Sequence, residues 1–403
     1  MVAGILLGTV AAVGVSIVII PRLLRRRQSK NIRQQSENGP PHRTQPFLSI
    51  PERAKAEALF DEIKDKNILD LVTKAADAES CCMFSETDIS TTSFTSKKAR
   101  TIGDASRIEA LGIGFSCRKG LTGVSCRNGL TPEGPNQDSW IILSAARSSI
   151  YGVFDGHGQN GHDISDFVKE NLPKLLLKDE RFWSPDEDKR KSMCIDAFGQ
   201  MQKLIALQDD NQQLSGQLSG TTATIVIHDR VANKLTIAHI GPCETALLSR
   251  TEANTRGAIQ LTTDHLPALR EERARIEKSG GRVVFDGYAN HRVYAKNARY
   301  PGLNMSRCFG DLLGHEVCGI ISEPEVSFYT ITDNDDFLLI ASDGVMEFMA
   351  PQEVVDRMPG SREHSLQECC DKLAKEAWDR WIHEETGTFV DDITVIVAYL
   401  GSP

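Results

Sequence analysis

From Val2 to Ile20 the chain carries no charged residue. As a helix this stretch would span about 28 Å at 1.5 Å per residue, close to the thickness of a hydrocarbon core. Pro21 ends the run, and Arg22, Arg25, Arg26, Arg27, Lys30 and Arg33 follow it. The pattern predicts a transmembrane anchor over residues 1–21. The dense positive charge after it would place the remainder in the cytosol and attract anionic membrane lipid. A cleaved secretory signal is the competing reading, but it would put its basic residues ahead of a shorter apolar stretch.

Residues 22–106 read as a basic juxtamembrane linker with one amphipathic helix. In that helix Leu59, Ile63, Ile68, Leu71 and Val72 recur at helical spacing among charges. Ser80 to Thr101, rich in Ser and Thr, reads as irregular. The segment from Ser116 to Thr122 recurs nine residues later from Ser125 to Thr131, which two strands with glycine turns would explain. From there to Pro403 the pattern is that of a globular domain, expected over residues 107–403. Thr222–Ile227 and Leu235–Ile240 read as hairpin strands. Phe167–Leu177 and Lys191–Leu207 read as amphipathic helices.

Composition narrows the function. The formal net charge of −9 over 403 residues argues against a nucleic-acid partner, which needs a basic face to replace phosphate counterions. The ten cysteines contain no C-x-x-C pair, so a zinc ribbon or a thioredoxin-type site has no support. They read as reduced thiols, and the pair Cys81–Cys82 could carry a lipid near a membrane.

Three apolar strands meet acids at their ends. Tyr151–Phe154 stops at Asp155-Gly156-His157, Phe337–Ala341 stops just before Asp343-Gly344, and Asp391-Asp392 immediately precede Ile393–Val397. A carboxylate at the end of a buried strand is held rigidly, and a glycine beside it lets a backbone carbonyl approach a cation. Carboxylates without clustered Cys or His favour Mg²⁺ or Mn²⁺ over zinc. Two such cations sharing a carboxylate and a water would make a phosphoryl-hydrolysis site.

The set resembles the type 2C family of metal-dependent serine/threonine protein phosphatases. The resemblance runs over roughly residues 110–400, with the family's motifs in order. They are P-N-Q-D at 135–138, V-F-D-G-H-G at 153–158, S-G-T-T-A at 219–223, L-T-T-D-H at 261–265, R-I-E-K-S-G-G at 275–281 and P-G-L-N-M-S-R at 301–307. Gly310-Asp311, E-P-E-V at 323–326, A-S-D-G-V at 341–345 and V-D-D-I-T at 390–394 complete the series. The resemblance implies an α+β fold, a four-layer sandwich of two packed antiparallel sheets with helices on both outer faces. It implies hydrolysis of phosphoserine and phosphothreonine in protein substrates by a water bridging two metals. Residue by residue, it implies that Asp155 bridges the two cations, the Gly156 carbonyl completes the first, and Asp343 and Asp391 hold the second. Asp138 would bind through metal-coordinated water, and His157 would be the general acid that protonates the leaving alkoxide. Asp311, Arg307, His162 and His265 are expected to be structural, and Asp392 to stand beside the site.

Three departures stand out. Where the family has G-D-S-R, this chain has Gly241-Pro242-Cys243-Glu244. The acid of a third, loosely held metal is thus Pro242, and the arginine is replaced by Glu244. A third site is expected to be weak or absent, although Glu347 keeps a carboxylate nearby. A basic residue that grips phosphate in the family aligns with Thr131, leaving Arg127 or Arg118 as the expected substitutes. Residues 266–305, between matched motifs, form a candidate flap. The alternative reading is a binding module of the same fold with little turnover, favoured by Pro242, Glu244 and Thr131. A membrane scaffold is a third reading, opposed by the intact acid set.

Overall fold

The computed structural model describes residues 45–73, 80–87, 92–122, 125–126, 129–130, 134–242, 244–252, 255–359 and 365–400. Among them, twelve strands build two antiparallel sheets. In chain order they are β1 (Cys81–Ser85), β2 (Ala99–Ile102), β3 (Ile113–Arg118), β4 (Ser139–Ser144), β5 (Ser148–Phe154), β6 (Ala223–Asp229), β7 (Lys234–Ile240), β8 (Thr245–Glu252), β9 (Thr255–Gln260), β10 (Glu325–Thr330), β11 (Asp335–Ala341) and β12 (Ile393–Tyr399). The larger sheet has the order β10-β7-β6-β5-β4-β1-β2, and the smaller β9-β8-β11-β12-β3.

Side chains alternate across each strand, so a strand buried on both faces reads as an unbroken apolar run. In β11, Leu338 and Ile340 face the other sheet, where they meet Trp140, Ile142, Tyr151 and Val153. Phe337 and Leu339 face outward onto a helix, α5 (Leu366–Glu384). On the far side, Ile141, Leu143 and Ile150 meet three helices, α1 (Ile50–Ile63), α2 (Gly161–Lys178) and α3 (Glu187–Asp210). The layers are therefore helix, sheet, sheet, helix, as expected. The two sequence-read helices are the cores of α2 and α3, and the sequence-read hairpin is β6–β7.

Two expectations change. The stretch 22–106 is not a linker throughout. Ser49 and Glu52 form a capping box, and Pro51 stands in the first turn, starting α1 just after it. The backbone N–H of Phe47 is held by Asp210 at the end of α3, at 2.9 Å. The single expected helix is broken into α1 and Ile68–Thr73. Ser80–Thr101, expected to be irregular, supplies β1 and part of β2, the last two strands of the larger sheet. Cys81 and Cys82 lie in β1 and are fully buried, which removes them as lipid acceptors. No periodic signal marks this stretch because β1 is only five residues long.

The second change concerns location. The anchor expected over 1–21, and the basic cluster after it, lie outside the described residues. Among the described residues no helix is long and apolar enough to cross a membrane. The longest, α3, has 24 residues but opens Glu-Asp-Lys-Arg-Lys and buries its apolar residues in the core shared with α2. The expected single-pass membrane location is therefore corrected, since no helix among the described residues supports it.

Candidate active site

Strand register brings the acids together. In β11–β12, Ala341 lies opposite Val395, so the end of β11 and the start of β12 lie at one end of the smaller sheet. Asp343 and Asp391 stand there, two residues beyond each strand. Hydrogen bonds join these ends, from Ser342 N–H to the Thr394 carbonyl at 2.9 Å and from Thr394 N–H to the Ser342 side-chain Oγ at 3.0 Å. In the larger sheet Phe154 lies opposite Ser139, which sets Asp155 beside Asp138. Thr394 Oγ1 then donates to Asp138 Oδ2 at 2.7 Å, tying the two sheets together at the site.

The carboxylates disturb one another. Burial, then Asp343, Asp138 and Asp391, push the Asp155 carboxyl well above its ordinary range. Burial and then Asp343 do the same to Asp391. Asp138, 1% exposed, is raised to about 7, by burial first and Asp392 next. Such a set is costly as bare anions and suits hard divalent cations, whose charge offsets the repulsion. The donors are oxygens, as Mg²⁺ or Mn²⁺ requires. Gly156 fits the same purpose. A Cβ there would come within 2.5 Å of the Gly161 carbonyl oxygen and 2.7 Å of that of Gln137, so only glycine allows this close backbone packing.

Neighbouring groups fix the acids' backbones. Asp392 does not face outward. Its two oxygens accept from Gly120 N–H and Gln137 N–H, each at 2.7 Å, clamping the P-N-Q-D loop to the end of β3. Buried Lys97 donates to the carbonyls of Asn136 and Asp138 and to Ser139 Oγ. Trp381 of α5 donates its indole N–H to the Gly344 carbonyl at 2.7 Å and so supports the Asp343 turn.

His157 lies on a short strand that pairs with Gly220–Thr221, which in turn pairs with Phe309–Gly310. This three-stranded piece places His157 Nε2 2.5 Å from Asp311 Oδ2. Gly220 sits between them, and a Cβ there would lie 2.5 Å from Asp311 Oδ2 and 2.8 Å from His157 Nε2. Asp311 is 1% exposed and in the left-handed region, at φ 41.

Residues 126–385 match the family model described as protein phosphatase 2C. The chain belongs to the protein phosphatase 2C family. It is similar to "Probable protein phosphatase 2C 72" of Arabidopsis thaliana, 34% identical over 281 residues that cover 66% of this chain and 81% of the relative. It is also similar to "Probable protein phosphatase 2C 48" of Oryza sativa subsp. japonica, 32% identical over 67% of this chain and 82% of that one. Among solved structures, a serine-threonine phosphatase 2C from Toxoplasma gondii shares the fold. It has a TM-score of 0.58 and 15% identity, covering 78% of this chain and 98% of that one.

Against that family pattern, the structure brings Asp138, Asp155, Gly156, Asp343, Asp391 and His157 to one end of the sandwich. Arg118 reaches that end too, opposite Ile393, but its side chain turns away from the acids. That guanidinium pairs with Asp371 of α5 at 2.7 Å and lies over the Phe94 ring. Arg127 and Thr131 lie outside the described residues. Asp311, expected to be structural, is instead the partner of His157. Arg307 is structural, since it joins Arg275 and Ser306 around buried Glu272. His265 is buried, accepts from Gly241 N–H at 3.1 Å and stacks on His239. The candidate flap contains a helix, α4 (Arg270–Lys278), and a three-stranded sheet with its own core around Ile276, Val293 and Met305.

Glu244 is the departure with the clearest structural consequence. It is fully buried, and its Oε1 accepts from Asp155 N–H at 3.0 Å and from Thr222 Oγ1. Burial pushes its carboxyl well above the usual range. Sequence reasoning missed Lys97, whose surroundings read as irregular chain, and named Asp311 without its contact to His157. Gly220 and Gly310, which meet only through strand pairing, allow the close approach beside His157.

Proposed function

We propose that this site hydrolyses phosphoserine and phosphothreonine in protein substrates, with Asp155, the Gly156 carbonyl, Asp343 and Asp391 holding two Mg²⁺ or Mn²⁺ ions. The observation that carries the reading is the convergence of these acids from both sheets beside His157. Family membership makes the chain a serine/threonine protein phosphatase. When bound, the cations supply the Lewis acidity that makes water nucleophilic near neutral pH and neutralises phosphate oxygens.

The chain's own residues do the rest. Asp138, held by Thr394, orients polar groups behind the primary acids. Asp311 accepts from His157 Nε2–H and fixes the ring. The imidazolium that this contact orients would give its proton to the departing serine or threonine oxygen. The catalytic unit extends upstream of residue 107 to include α1, β1 and β2. A third cation is weak or absent, since Pro242 offers no side-chain ligand.

The test is Mn²⁺- or Mg²⁺-dependent release of phosphate from a phosphothreonine peptide by the full chain and by its Asp343→Asn variant. Metal-dependent turnover lost in the variant supports the reading. A folded wild-type chain without turnover at millimolar metal overturns it in favour of a binding module, the second reading that Pro242 and Glu244 support. Calorimetry should find two Mn²⁺ sites, and three sites of similar affinity would refute the account of Pro242.

A further inference from the structure

Behind His157 lies a second set of ligand atoms, different in kind from the carboxylates. Cys308, fully buried, points its thiol at Asp311 Oδ2 from 3.3 Å. Asp311 Oδ2 is also 2.5 Å from His157 Nε2, and ligand atoms of all three residues lie within 4.8 Å of one another. Two further atoms here are buried without hydrogen-bond partners, Asp311 Oδ1 and His157 Nδ1. The imidazole side chain retains 20% of its exposure, whereas the Asp311 side chain retains 1%, so solvent reaches the group at the imidazole.

We propose that His157, Cys308 and Asp311 form a binding site for a soft or borderline divalent cation, of which Zn²⁺ is the type, and that its occupancy switches off the phosphatase. One imidazole, one thiolate and one carboxylate are the donors zinc takes with a fourth position left open. The hard ions of the carboxylate centre gain little from a sulfur ligand, so the two sites sort metals by chemistry. Tetrahedral bonds of about 2.0 Å to nitrogen and oxygen and about 2.3 Å to sulfur need sulfur–oxygen and nitrogen–oxygen separations of roughly 3.5 and 3.3 Å. The Cys308–Asp311 distance already meets the first. The His157–Asp311 distance must open by about 0.8 Å, which the partly exposed imidazole can supply by a small swing.

Binding releases protons. The Cys308 thiol loses its proton on coordination, and the proton shared by His157 Nε2 and Asp311 leaves with it, both to solvent. The same swing removes the imidazole from the position in which Asp311 held it, and misplacement on the ångström scale costs about a hundredfold in rate. Metal binding here stands on geometry alone, whereas the inhibition rests on the reading of His157 as the general acid.

The test uses Co²⁺ as the spectroscopic probe and Zn²⁺ as the competitor, on the full chain kept in saturating Mg²⁺. Wild-type protein should show a thiolate-to-cobalt charge-transfer band, which Zn²⁺ abolishes, and Cys308→Ala should lack it. Zn²⁺ should also inhibit phosphothreonine hydrolysis, with its apparent affinity reduced at least about tenfold in Cys308→Ala. Cys308→Ser, of nearly the same size, checks that any loss is not a packing defect. A band of unchanged strength in Cys308→Ala, or no band in folded wild-type protein, overturns the site. A Cys308-dependent band without inhibition overturns the switch while leaving the metal site. A chain inactive even without zinc would instead contradict the proposed function, and the cobalt band would still report on the metal site.

Discussion

His157 and Asp311, 154 residues apart in the chain, meet through a 2.5 Å contact between Nε2 and a carboxylate that is almost wholly buried. The pair makes Asp311 a positioning residue. Asp311→Asn should lower turnover of a phosphothreonine peptide about a hundredfold, the scale of general acid catalysis. p-Nitrophenyl phosphate, whose leaving group needs no proton, should lose far less. Steady-state kinetics on both substrates check this, and equal losses would show that Asp311 acts only on the fold.

Gly156 leaves no room for a side chain, because the obstructing atoms are backbone carbonyls. Gly156→Ala should destabilise the protein by about 1–3 kcal/mol, as overpacking does. It should also weaken Mn²⁺ binding, because the Asp155–Gly156 turn must shift. Urea unfolding and calorimetric titration measure the two effects. Unaltered metal affinity would contradict the placement of the Gly156 carbonyl at the cation.

Lys97 comes from a stretch that reads as irregular, yet it is 2% exposed and ties the P-N-Q-D loop to its surroundings. Lys97→Met keeps the buried stem and removes the donor. It should cost about 2 kcal/mol, the scale of a hydrogen bond from a charged group. Because Asp138 sits in that loop, metal-dependent activity should fall too. A thermal shift with intact activity would confine Lys97 to stability.

His228, on β6 far from the carboxylates in sequence, is held to about 4 by burial and then by Arg230. Its folded value lies below the ordinary 6.5, so the neutral ring favours the fold. That contribution is fully present above pH 6.5 and is lost as pH falls from there towards 4, amounting to about 3 kcal/mol at most. In saturating Mg²⁺, His228→Gln should flatten the fall of unfolding free energy with pH across this window. The slope should drop by up to about 1.4 kcal/mol per pH unit. Chemical denaturation at several pH values measures it, and an unchanged slope would show that the ring titrates normally.

Much of the site was legible because its acids sit at the ends of apolar strands. Asp155, Asp343 and Asp391 each carry a local signature, a run of buried residues broken by a carboxylate beside glycine or a second acid. The α2 and α3 helices and the β6–β7 hairpin were legible for the same reason, since periodicity and turn residues act over a few neighbours. β1 and β2 were not legible. At five and four residues they are too short to set a period; β1 is buried where it pairs with β4 from elsewhere in the chain, and β2 stays largely exposed at the edge of the sheet.

What the sequence determined by itself was the local chemistry, namely which strands end in carboxylates, where helices begin, and that an acid replaces the arginine at position 244. Only the tertiary structure decided what those residues do to each other. It buried Glu244 against the Asp155 backbone, turned Arg118 to Asp371, and set Asp311 and Cys308 behind His157. The physical reason is range. Propensity and periodicity act between neighbours in sequence, whereas hydrogen bonds and charge interactions act over a few ångströms of space, and strand register together with helix packing brings such distant residues within that reach.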